Sequence, residues 1–288
     1  MQKLSFALAS CITVLSAGTR IAAAEQVEPP PDQPPPDTQP VAPDPNQPPA
    51  PTVGGDPLAA WPQRIIDRPL TITRGLMRAQ ADVGIARINA DGGGGVTSVG
   101  MTATASYGVT DQFELGASYS LALSEFNAEG PIKAFAQYKI AEGRFKAAIT
   151  GSLTYDLSTE FGVLGLGVAA QWNLGPNIAL LFGGDQLRST VIIPNGGGNQ
   201  VTTVALPIGV GFQATPALFL YAQTAVATVS LQNSDSVVFG RDGEPLTLGL
   251  FYSPSNEIDL GLAIVYPNLE TAADQFTILL TGRLFIAN

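Results

Sequence analysis

Histidine is absent from this 288-residue chain. That absence removes Ser-His-Asp chemistry, Asp-His proteolysis and imidazole metal sites together. Cysteine occurs once, at Cys11, and charged residues make up only 13% of the chain. After the N-terminal stretch, no segment offers the ~20 consecutive apolar residues of a membrane helix. Lys and Arg number 14 against 24 Asp and Glu, a net charge of -10, so no nucleic-acid partner is expected. What remains for catalysis is a Ser–Lys pair, such as Lys146 with Ser152, or two coupled carboxylates. No spacing singles either out, so the chain reads as a non-enzyme needing no metal or cofactor.

The N-terminus reads as an export signal. Lys3 supplies the positive start, Leu4 to Ala17 is mostly apolar, and Ala22-Ala23-Ala24 forms a small-residue cleavage site before Glu25. Leu8-Ala9-Ser10-Cys11 also resembles a lipoprotein box, although the apolar run before it is short. Cleavage after Ala24 removes Cys11, so the remainder has no disulfide, thiolate ligand or Cys nucleophile. It also removes Lys3 and Arg20, leaving 12 cations against 24 acids and a net charge of -12.

Residues 25–57 hold 13 of the 23 prolines, with Asp, Gln and Glu between them. Such a stretch cannot bury apolar area or form a ladder, so it predicts an extended, solvated spacer reaching roughly 100 Å. Contact with the cell wall or a periplasmic partner is the sharper alternative. Residues 58–75 follow as a lead-in, with Trp61, Ile65 and Ile66 in a short amphipathic turn that Pro62 would start. This piece is expected either at the periplasmic rim, with Arg64, Arg68 and Arg74 near phosphates, or in the lumen as a plug.

From Leu76 to Ile286 the chain alternates bulky apolar residues with small or polar ones. Phe113, Leu115, Ala117, Tyr119 and Leu121 share one face, and Glu114, Gly116, Ser118, Ser120 and Ala122 the other. A soluble β-protein would bury the bulky face. Here the opposite face is too small and polar to form a core, which predicts an all-β, closed antiparallel barrel with lipid outside. Twelve strands are predicted: 76–88, 96–107, 113–124, 132–140, 145–156, 163–174, 178–188, 202–213, 218–230, 246–252, 258–266 and 276–286. Joints alternate between long and short, which predicts short periplasmic turns, long external loops and periplasmic termini.

The outward set carries aromatics near strand ends: Tyr107, Phe113, Tyr138, Phe145, Tyr155, Trp172, Phe212, Tyr252, Tyr266 and Phe276. Rings with a polar edge favour the headgroup boundary, so these form the expected interfacial girdle. Tyr107-Gly108-Val109-Thr110-Asp111-Gln112-Phe113-Glu114-Leu115-Gly116 resembles the strand–turn–strand signature of porin-like bacterial outer-membrane β-barrels. That resemblance covers about 76–288. It implies the outer membrane of a Gram-negative bacterium, contact with lipid and lipopolysaccharide, and insertion by the barrel-insertion machinery. Members commonly end on an aromatic residue, whereas this chain ends Phe285-Ile286-Ala287-Asn288.

The inward set carries the charges: Arg78, Asp82, Glu114, Lys133, Lys139, Lys146, Asp156, Asp185, Asp259 and Arg283. They read either as salt bridges stiffening the lumen or as a constriction screening ions. Arg188 breaks the alternation, which requires a position at the outer rim or a bulge in the seventh strand. Inward glycines, among them Gly116, Gly211, Gly249 and Gly261, would leave a narrow watery path. The expected function is therefore passive diffusion of ions or small polar solutes, and the alternative is a closed structural barrel.

Overall fold

The structure, a computed structural model, describes residues 56–90, 94–124, 130–157, 161–183, 187–192, 201–230, 237–238, 245–267 and 274–288. Among the described residues, fourteen strand segments run in chain order: β1 Leu76–Ala90, β2 Gly94–Gly108, β3 Phe113–Ala122, β4 Pro131–Ala141, β5 Phe145–Asp156, β6 Phe161–Asn173, β7 Ile178–Phe182, β8 Leu187–Ile192, β9 Val201–Thr215, β10 Leu218–Ser230, β11 Val237–Val238, β12 Leu246–Tyr252, β13 Ile258–Tyr266 and β14 Gln275–Ala287. They form twelve staves. β7 and β8 both pair with β6 and β9 and share one stave, and β11 and β12 share another beside β10. Each stave pairs antiparallel with its neighbours, and β1 closes the ring on β14, from Leu76 opposite Ala287 to Ile88 opposite Gln275. Closure matters because an open sheet edge in lipid would leave backbone groups unpaired.

The predicted inversion of faces holds. Leu115, Leu153, Leu260 and Leu280 are roughly half-exposed, while Glu114 and Asp259 are 0% exposed. All ten girdle aromatics fall on the outward register. Phe113 sits opposite Tyr138 and Phe145 opposite Trp172, with most of the ten at the short-turn end.

The inward face differs from expectation in one respect. It is not uniformly small and polar, because Phe135, Phe219, Tyr221, Phe251 and Phe285 point inward. The first four of these rings lie over inward glycines of a neighbouring stave. A Cβ on Gly116 would come within 2.2 Å of Phe135, on Gly211 within 2.4 Å of Phe219, on Gly249 within 2.5 Å of Tyr221, and on Gly261 within 2.6 Å of Phe251. The space next to these four glycines is therefore ring-filled. Bare glycine leaves the flat surface that a ring needs to lie along the wall.

Position 188 resolves through the backbone. Phe182 pairs with Ala170 and Leu187 with Leu166, so the stave gains one residue relative to β6 between its two segments. That shift puts position 188 opposite Gly165, on the inward register. A period of two cannot survive a one-residue insertion, which is why the alternation failed there.

Candidate functional site at the short-turn mouth

Residues 56–75 cross the end of the barrel that carries the short turns. Their only helical element is a single 3₁₀ turn, Ile65–Asp67, three residues after Pro62. Trp61, Ile66 and Ile72 are buried. Trp61 and Ile72 pack with Leu76 and Phe285, and Ile66 packs with Ala179 and Phe219.

Polar contacts fix the segment across the opening. The Ile66 N–H donates to Gln213 Oε1 at 3.2 Å, and the Ile66 carbonyl accepts from Lys146 Nζ and Gln171 Nε2, each at 2.7 Å. Lys146 Nζ also donates to the Arg68 carbonyl at 2.7 Å. The Ile72 N–H donates to Glu114 Oε2 at 2.9 Å. Asn256 Nδ2 donates to the Leu58 carbonyl at 2.6 Å, and Gln63 Nε2 donates to the Ser253 carbonyl at 2.8 Å. These wall groups come from β3, β5, β6, β9 and the turn between β12 and β13, so they lie on opposite sides of the ring.

Arg68 is the charged anchor. It is 6% exposed and its Nη1 lies 2.5 Å from Asp259 Oδ2. Its other N–H groups donate to the carbonyls of Pro62 (2.7 Å) and Gln63 (3.1 Å). The guanidinium lies 5.1 Å from the Phe285 ring centroid and 5.6 Å from that of Trp61. Asp259 also accepts from Ser253 Oγ at 2.6 Å and sits 4.0 Å from Arg283. A buried carboxylate is tolerable only with such partners. Arg64, by contrast, stays at the surface, donating to the Pro176 carbonyl and to Asn177 Oδ1 at 2.9 Å.

The inward charges continue from this anchor. Arg283 Nε donates to Gln80 Oε1 at 3.0 Å, and its guanidinium covers the Phe251 ring at 4.2 Å. Gln80 donates to Asp82 at 2.7 Å, and Thr281 donates to Asp82 at 2.6 Å. Arg78 pairs with Glu114 at 2.9 Å. Six of the ten inward candidates thus meet near the short-turn end: Arg78, Asp82, Glu114, Lys146, Asp259 and Arg283. Lys139 turns aside to Glu142 at 2.6 Å. Lys133 and Asp156 hold inward positions toward the long joints, and Asp185 lies outside the described residues. The Lys146–Ser152 pairing does not form, since Lys146 serves the two carbonyls and Ser152 Oγ has no partner among the described residues.

Sequence reasoning missed Gln213 and Ser253 and the pairing of Arg68 with Asp259. A usable signal existed for one of these. Asp259 faces Arg283 across β13 and β14, and a carboxylate at the inner rim could take a second cation from the adjacent Arg-rich lead-in.

No protein-family model matches the sequence, and no curated protein is similar to it. Several solved barrels have a similar fold. The NanC porin superposes with a TM-score of 0.51 at 9% identity, over 72% of this chain and 98% of that one. The KdgM porin gives 0.49 at 9% identity (71% and 98% covered), and the COG4313 outer membrane channel from Pseudomonas putida F1 gives 0.49 at 12% identity (75% and 97% covered). The chain has a porin-like fold, a closed antiparallel barrel of twelve staves.

Proposed function

We propose that this protein is an outer-membrane channel passing ions or small polar solutes by passive diffusion, with residues 56–75 stoppering its short-turn mouth at rest. The short turns and both termini would face the periplasm of a Gram-negative bacterium. Outer-membrane lipid and lipopolysaccharide would contact the apolar face, and the insertion machinery would receive the terminal strand. The supporting observation is the contrast along the lumen wall. Farther from the short turns, Asp82, Thr102, Ser118 and Ser120 are inward and partly exposed, whereas the inward residues touching the stopper are buried.

A closed structural barrel is the second reading. The ion pairs Arg78–Glu114 and Arg68–Asp259, with Arg283 beside the latter, favour it because they knit the mouth together. Single-channel current across a planar bilayer distinguishes the two. The channel reading expects rare steps from the unmodified chain and frequent steps from Ile66→Asp, which loosens the stopper and leaves the wall intact. Silence from both, in barrels shown to be inserted, would favour the closed scaffold.

A further inference from the structure

The wall groups at the short-turn mouth mostly read main chain. Lys146, Gln171, Gln213, Glu114 and Asn256 engage N–H or C=O groups of Leu58, Ile66, Arg68 and Ile72. The ring offers both donors, from Lys146, Gln171 and Asn256, and acceptors, from Glu114 and Gln213, as recognition of an irregular, extended peptide requires. Two side chains are read specifically. Arg68 enters a socket made of the Asp259 carboxylate, Ser253 and the Phe285 ring, and Ile66 fills an apolar seat on Phe219 and Ala179.

We infer that the short-turn mouth is a binding site for an extended, arginine-bearing peptide, occupied here by the chain's own residues 58–72. Groups that serve backbone amides have no means of telling this segment from another chain of similar shape. Asp259 adds the requirement for a cation, and an apolar residue two positions before it fits the seat of Ile66. The tethered copy competes at an effective concentration in the millimolar range, so an outside peptide gains access only when the tethered one is weakened.

The test is calorimetric titration of the full chain in detergent micelles, which does not require the barrel to conduct. The probe is a synthetic peptide spanning residues 58–74. The unmodified chain should bind it weakly. The Arg68→Ala and Ile66→Asp chains, each retaining heat-resistant barrel migration, should bind it saturably, one peptide per chain. A probe carrying Arg68→Ala should bind these chains at least ~100-fold more weakly, because a buried carboxylate loses its partner. Equal binding of the two probes, or no binding to a folded variant, overturns the inference. So does failure of both variants to fold, since the segment would then be a structural member and not an exchangeable ligand.

Discussion

The Phe135 ring lies flat over Gly116, its partner directly across β3 and β4, and a Cβ at that glycine would fall 2.2 Å from the ring. The pair faces the lumen, as do the rings of Phe219, Tyr221 and Phe251 over their own glycines. Gly116→Ala must push the ring off the wall, at a cost of about 1–3 kcal/mol. Urea unfolding of the barrel in lipid vesicles would measure it. A null effect would mean that the ring moves freely.

The faces of β14 should respond oppositely to charge. Leu280 points outward at mid-strand, and Thr277 points inward. Leu280→Arg should cost about 2–4 kcal/mol in the same assay, against less than about 1 kcal/mol for Thr277→Arg. Equal costs would contradict the assigned register.

Asp259 and Glu114 should differ in importance. Asp259→Asn leaves Arg68 buried without its counter-charge and should destabilise by about 3–5 kcal/mol. Glu114→Gln keeps an acceptor for the Ile72 N–H and leaves Arg78 the more exposed partner, so a loss nearer 1 kcal/mol is expected. Paired denaturation curves would rank the two.

Ion preference should depend on lumen charges and not on turn charges. Lys139 sits at the turn between β4 and β5 beside Glu142, and Lys133 lies on the lumen wall opposite Thr154. In a conducting Ile66→Asp background, Lys133→Glu should shift the reversal potential toward cations in a salt gradient. Lys139→Glu should shift it little. The reverse order would move the selective region to the turns.

Apolar alternation alone made the barrel, its inverted faces and its twelve staves legible, because a period of two assigns each side chain to one face without tertiary information. The same arithmetic assigns a register to the charged and aromatic positions among the described residues. It failed where a tertiary fact broke the period, as at the one-residue shift before position 188. It also gave glycines open space, since the sequence does not say that Phe135, Phe219, Tyr221 and Phe251 lie over them. The stopper was the largest unknown. Residues 56–75 carry no periodicity, and their seat depends on Asp259, Gln213, Lys146 and Glu114 converging from staves far apart in the chain. Local propensity cannot specify such a site, because barrel closure alone brings those four groups to one mouth.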